Sequence, residues 1–80
     1  GDIIKGNIII GENSIIESSV NLTGSDEFPL RIGKNVLIKG SSYLFGSVVE
    51  DGVSIEHSVL IKKKIKAEKD TTEKIKPVRF

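Results

Sequence analysis

The sequence predicts an all-β domain, a parallel β-solenoid of about three coils, and two regularities support this prediction. Large aliphatic residues recur every six positions, and residues that favour tight turns follow them three positions later. A period of six fits neither the 3.6-residue repeat of a helix nor the two-residue alternation of a strand. It fits a short strand followed by a corner, and three such units close one triangular coil of about eighteen residues.

The aliphatic column runs through the chain with two interruptions. Four extra residues follow Leu22, and one residue is missing before Val49. Every position of the column is Ile, Leu or Val, although these types make up only 25 of the 80 residues. Ten such matches without freedom of choice would occur about once in 10⁵ trials. The ten positions are Ile4, Ile10, Ile16, Leu22, Ile32, Ile38, Leu44, Val49, Ile55 and Ile61.

Two further columns keep the same phase. Three positions after the aliphatic residues, nine of ten residues are Asn, Ser or Gly, which tolerate left-handed and turn conformations. Four positions after them lie mostly small or β-branched residues, which include Val48 and Val59 and which we expect to point inward. Because coils stack at roughly 4.8 Å, we expect Ile16 to lie over Ile38 and Ile38 over Ile55.

An amphipathic helix and a sandwich of hairpins explain the pattern less well. A helix would place apolar residues at i, i+3, i+4 and i+7, and the seven glycines between Gly6 and Gly52 oppose it. A sandwich of hairpins gives no reason for three columns to keep one phase.

The sequence predicts a solenoid over residues 1–65 and a charged tail after it. A loop insertion near 24–31, which reads GSDEFPLR, interrupts the repeats. Phe28 and Pro29 are apolar for an exposed loop, so they either fold back on the solenoid or contact a partner. We expect the basic tail, residues 66–80, to form a short helix or an extended segment.

Charge is distributed unevenly between the two parts of the chain. Residues 1–61 hold four Lys/Arg and eight Asp/Glu, whereas residues 62–80 hold eight Lys/Arg and three Asp/Glu. The basic part has no aromatic residue before Phe80, and its acids dilute the positive charge. It therefore fits a solvated segment better than a nucleic-acid or membrane site, and we expect neither partner.

The composition excludes several classes of protein. The chain has no cysteine, so neither a disulfide framework nor a thiolate metal site stabilises it. No apolar run approaches the length of about 18 residues that a membrane-spanning helix needs, and no secretory signal is present, so we expect a cytoplasmic location. The chain has no methionine and begins at Gly1. We therefore expect it to be part of a longer polypeptide.

The repeat units resemble the hexapeptide repeat of left-handed parallel β-helices, in which an aliphatic residue is followed by Gly or Glu, two variable residues and Ser or Val. The resemblance covers about residues 3–65, and the unit that starts at Ile38 departs from it at its second position. It implies a left-handed coil, against the usual right-handed crossover preference. The matching units are IGENSI (10–15), IESSVN (16–21), IGKNVL (32–37), VEDGVS (49–54) and IEHSVL (55–60).

Among hexapeptide proteins, the stretch RIGKNVLIKGSSYLFGSVVEDGVSIEHSVLI (31–61) is most similar to the C-terminal domains of sugar-1-phosphate nucleotidyltransferases of the glucose-1-phosphate or mannose-1-phosphate type. The resemblance implies a non-catalytic oligomerisation or regulatory domain in sugar-nucleotide synthesis. The parent enzyme would bind Mg²⁺ and an NTP in an upstream catalytic domain of the same chain. The Gly-rich signature of that domain does not occur here, so we expect no catalytic residue, cofactor site or metal ligand in this segment.

Two other functions remain open. Hexapeptide acyltransferases use an acyl-CoA donor and a histidine as general base, and His57 is the one histidine. We expect His57 to be a solvated corner residue, and only Glu56 and Asp51 are near it in sequence to orient it as a base. A zinc site like that of the related carbonic anhydrases needs three histidines, and thus one His57 from each subunit of a trimer. The other open function is a free-standing scaffold without chemistry.

A solenoid of about three coils has two open ends and a small core, and both features favour assembly. Flat sides packed against other copies would cover apolar surface, and threefold packing closes. We therefore expect a homo-oligomer, with a trimer favoured.

Overall fold

The computed structural model describes residues 3–66, which form a parallel β-solenoid with three complete coils and two strands of a fourth. The structure thus has about four turns, and the prediction of about three was too low. Later coils are shorter than eighteen residues, since Leu44 pairs with Leu60 only sixteen positions on. The strands are β1 (Ile3–Gly6), β2 (Ile8–Ile10), β3 (Ile15–Ile16), β4 (Asn21–Gly24), β5 (Leu30–Ile32), β6 (Leu37–Ile38), β7 (Tyr43–Phe45), β8 (Val48–Val49), β9 (Ser54–Ile55), β10 (Val59–Ile61) and β11 (Lys64–Ile65).

Each coil contributes one strand to each of three parallel sheets. We call these sheets face A (β1, β4, β7 and β10), face B (β2, β5, β8 and β11) and face C (β3, β6 and β9). Backbone hydrogen bonds run between coils, as in the 2.8 Å bond from Gly11 N to Ile32 O. The all-β solenoid that the six-residue period predicted is therefore confirmed.

The inward residues form three continuous stacks, which make up the core. Ile16 lies over Ile38 and Ile38 over Ile55, as predicted. The insertion after Leu22 and the missing residue before Val49 leave the stacks unbroken, because both changes fall in corners. The stacks are Ile4, Leu22, Leu44 and Leu60 inside face A; Ile10, Ile32, Val49 and Ile65 inside face B; and Ile16, Ile38 and Ile55 inside face C.

The predicted position of Ile61 in the core is wrong. Leu60 occupies the inward stack of face A and is completely buried, while Ile61 points outward and is 48% exposed. The step from Ile55 to the next inward residue is five positions rather than six. The inward residue after this corner therefore lies one position earlier than the six-residue period predicts.

Val48 and Val59 were expected to point inward, and the structure places both on the outer surface. Their neighbours Ser47 and Ser58 are buried instead, because the corners before them are short. The hydroxyl of Ser47 donates to the carbonyl oxygen of Phe45 at 2.9 Å. Within residues 3–66, no buried side-chain nitrogen or oxygen lacks a hydrogen-bond partner, so these polar residues are tolerated in the core.

The corners use left-handed backbone conformations, as the column of Asn, Ser and Gly predicted, but only in part. Asn13, Ser19, Asn35, Ser41 and Gly52 of that column adopt a positive φ. At four of the other five corners the turn is made one or two residues earlier, and different residues adopt a positive φ. They are Gly6, Gly46, His57 and Lys62.

The insertion leaves residues 25–29 outside the strands, between β4 and β5. Of the two outcomes expected for Phe28, the structure shows that it folds back. Its ring centroid lies 6.4 Å from that of Phe45, and Lys62 Nζ lies 4.2 Å from the Phe28 ring centroid. The tail predicted for residues 66–80 lies outside the described residues from position 67 onward.

Leu60→Ala is expected to lower the free energy of unfolding by about 2–5 kcal/mol, because it leaves a cavity in the inward stack of face A. Ile61→Ala is expected to change the stability of the isolated chain by less than about 0.5 kcal/mol, because that side chain lies on the surface. Urea unfolding at two protein concentrations measures both values and separates any contribution from assembly. A loss in Ile61→Ala as large as that in Leu60→Ala would contradict the observed register.

Candidate functional site

His57 lies exposed at the corner between faces C and A. Its backbone has a φ of 32°, and its Nδ1 lies 2.6 Å from the carbonyl oxygen of Gly40 in the preceding coil. Because a carbonyl oxygen only accepts, Nδ1 donates and carries the proton. In the neutral ring Nε2 is then the acceptor.

The structure does not bring Asp51 to His57. Asp51 lies at a different corner, between faces B and C, where its Oδ1 accepts a 2.8 Å hydrogen bond from the backbone N–H of Lys34. Glu56 precedes His57 at the same corner. Among residues 3–66, no three His, Cys, Asp or Glu side chains come close enough together to hold a metal ion.

The other polar side chains at the corners support the backbone and the loop. Asn7 Nδ2 donates to Asp26 Oδ1 at 3.2 Å, and Arg31 Nη1 donates to Asn7 Oδ1 at 3.0 Å. This chain of hydrogen bonds attaches the inserted loop to the first two coils. Glu17 Oε1 likewise accepts a 3.0 Å hydrogen bond from the backbone N–H of Gly40.

Face B carries charged residues in its outward column, whereas the charged residues of face C lie beside its outward column. The outward column of face B is Ile9, Arg31, Val48 and Lys64. Face C has a short outward column. Two positions after each residue of that column lies a charged residue, and the sign of its charge alternates from coil to coil. These charged residues are Glu17, Lys39 and Glu56.

Face A has two outward columns, and only one of its eight outward residues is charged. That residue is Lys5, in the first coil. The two outward columns are Ile3, Asn21, Tyr43 and Val59, and Lys5, Thr23, Phe45 and Ile61.

Four apolar residues of face A form a patch on two adjacent strands. Tyr43 pairs with Val59, and Phe45 pairs with Ile61, so the four side chains occupy neighbouring positions in register. Val59 is 40% exposed and Ile61 is 48% exposed. We call these four residues the face A patch, and Phe28 extends it at the edge through its contact with Phe45.

The sequence interpretation did not identify this patch, although the signal is present. In the triplets Tyr43–Phe45 and Val59–Ile61, apolar residues flank a central leucine on both sides. Strand alternation sends both flanking residues outward once the central leucine points inward. The placement of Ile61 in the core obscured the second triplet.

Comparison of the chain with protein-family models, with curated proteins and with solved structures finds no match in any of the three. Over the described range 3–66, the chain forms no helix that is long and apolar enough to cross a membrane. Fold, corner geometry and the face A patch are therefore the observations from which function is inferred.

Proposed function

We propose that the chain is an assembly domain, a β-solenoid whose face A packs against other copies of itself, most simply in a trimer. The face A patch carries this proposal, because it presents four apolar side chains in register with no charge among them. The strands below it are held by bonds between coils, such as the 2.9 Å bond from Tyr43 N to Ser58 O. The backbone under the patch is therefore preorganised, and little backbone freedom is lost when the patch is buried.

The size of face A favours a ring over a pair. Four strands at about 4.8 Å, each about 10 Å long, present roughly 200 Å² in projection. A standard protein interface buries about 800 Å² on each partner. Contact through face A alone is small for a stable pair, whereas in a closed trimer each copy has contacts with two neighbours, and Phe28 extends face A at its edge.

We further propose a left-handed coil and a place at the C-terminus of an NTP-dependent sugar-1-phosphate nucleotidyltransferase in the cytoplasm. The hexapeptide phrases between residues 31 and 61 support this proposal. In that enzyme an upstream domain binds the NTP and Mg²⁺, and the solenoid holds the catalytic domains in a fixed arrangement. A regulatory effect would act through the contacts between subunits.

One observation supports an acyltransferase as a second candidate. The bond from His57 Nδ1 to the Gly40 carbonyl fixes the ring and leaves Nε2 as the proton acceptor of the neutral form. A general base needs that arrangement. The separate position of Asp51 removes one of the two carboxylates suggested to orient it.

Ile61→Lys is expected to lower the native mass threefold, because a charge within the apolar contact loses its hydration on assembly. Native mass spectrometry of the 80-residue chain measures the number of copies in each particle. Val48→Lys is the matched control, since it changes an exposed valine on face B and should leave the mass unchanged. An unchanged mass for Ile61→Lys would contradict assembly through face A.

The native polypeptide is expected to be larger than the chain by a catalytic domain, on the order of 200 residues. An antibody raised against residues 1–61 measures its size in source cells. In that native protein, His57→Ala should leave turnover within about twofold, because the proposed role gives the residue no chemistry. Collapse of turnover in His57→Ala would favour the acyltransferase, and a native mass near 8.7 kDa would favour the free-standing scaffold.

A further inference from the structure

The strand beside the face A patch carries a polar pair. Asn21 and Thr23 are the outward residues of β4, and in register they lie next to Tyr43 and Phe45 of the patch. Both are already partly buried in the single chain. Asparagine is disfavoured in strands, and the other three members of its outward column are apolar or aromatic. This position therefore calls for an explanation.

Thr23 fixes the orientation of the Asn21 side chain. Thr23 Oγ1 donates a 2.9 Å hydrogen bond to Asn21 Oδ1, which leaves both N–H groups of Nδ2 for other partners. Within residues 3–66, Nδ2 donates to no acceptor, and no buried polar side-chain atom of this range lacks a partner. Nδ2 therefore lies on the surface of the chain, where it presents two donors beside the patch.

A copy that covers the patch also covers Asn21. β4 lies one strand spacing from β7, so Asn21 is about 7 Å from the middle of the patch. A standard interface of about 800 Å² per partner, taken as a disc centred on the patch, extends roughly 16 Å from its centre. Assembly through the patch therefore removes the Asn21 side chain from water.

We propose that Nδ2 of Asn21 donates a hydrogen bond to an acceptor on face A of the neighbouring copy, and that this bond sets the register in which the copies pack. The proposal rests on the assembly through face A proposed above. A buried amide without a partner would oppose the contact. The outward residues of face A offer three acceptors, namely the second lone pair of Asn21 Oδ1, Thr23 Oγ1 and the Tyr43 hydroxyl.

Apolar contacts alone define that register poorly. A shift of the neighbour by one strand, about 4.8 Å, still places part of the patch against apolar side chains. In coiled coils a single polar residue in an apolar seam selects one register and one number of copies, at a cost in stability. Asn21 acts in the same way, because an alignment that leaves its amide unpaired is disfavoured.

Asn21→Val tests this role by native mass spectrometry of the 80-residue chain. Valine suits a strand and enlarges the apolar surface, so the variant should still assemble. We expect particles with at least two different numbers of copies, whereas the wild type gives one number. The variant's assemblies should also survive roughly tenfold greater dilution, because no amide has to leave water.

Ser54→Val is the matched control. It replaces an exposed polar residue by valine at an outward position of face C, away from the proposed contact. Particles of Ser54→Val should have the same single number of copies as the wild type.

Hydrogen exchange of the Asn21 side-chain amide supplies a second measurement, which needs no variant at position 21. The Nδ2 hydrogens should exchange slowly in the wild-type assembly and rapidly in Ile61→Lys, in which the copies are kept apart.

The outcomes separate this proposal from the one on which it rests. A wild-type particle with one copy would contradict assembly through face A and, with it, the role of Asn21. A wild-type assembly whose Asn21→Val variant keeps the same single number of copies would leave the assembly standing and overturn the role of Asn21. A folded but monomeric Asn21→Val chain, or equal Nδ2 exchange in the wild type and Ile61→Lys, would also overturn that role.

Discussion

Hydrogen bonding between successive coils sets the register on which the rest of this structure depends. Ile15 N donates to Val36 O, and Leu37 N donates to Val53 O, so each residue is held over one defined residue of the next coil. Like side chains therefore stack, and a change in one coil is transmitted to the coils on either side. This constraint explains why the aliphatic stacks continue through an insertion and through shortened corners.

The same register restricts the backbone where coils approach each other at the corners. A Cβ added to Gly33 would lie 2.8 Å from the backbone nitrogen of Asp51. Asp51 lies there because its carboxylate accepts a hydrogen bond from Lys34 N. Gly33 in one coil and the Asp51 carboxylate in the next are thus parts of one arrangement. This arrangement gives a structural role to Asp51, which the sequence had suggested as a residue that orients His57.

Stacking in register does not restrict the chemical type of the outward side chains. The three faces of the solenoid therefore differ in these side chains. Face B displays Arg31 and Lys64 in its outward column, while the last two strands of face A display only apolar residues. In the strands of the first coil, the outward residues of the three faces are isoleucine except for Lys5 on face A. A rigid core of stacked coils therefore presents the face A patch as a preformed apolar surface, which suits a part that brings other copies together.

The fold was predictable because a period of six survives in the sequence wherever the corners keep their length. Ile16, Ile38 and Ile55 were placed correctly for that reason. The period fails where corners shorten: no local signal marks the loss of a residue before Leu60, since Val59, Leu60 and Ile61 are all apolar. Which of the three points inward is decided only by pairing with the neighbouring strand, which places Leu60 over Leu44.

The candidate surfaces were less predictable than the fold. The corner position of His57 follows from the repeat, but its bond to the Gly40 carbonyl depends on how two coils are aligned. The face A patch depends on the inward position of Leu60, so the error in register concealed it.

Nuclear Overhauser contacts between methyl groups test the register most directly. In a sample with labelled leucine and isoleucine methyl groups, we expect contacts from Leu22 to Leu44 and from Leu44 to Leu60. We expect none from Leu44 to Ile61 within one chain. Contacts from Leu44 to Ile61 without contacts to Leu60 would contradict the register, and with it the face A patch.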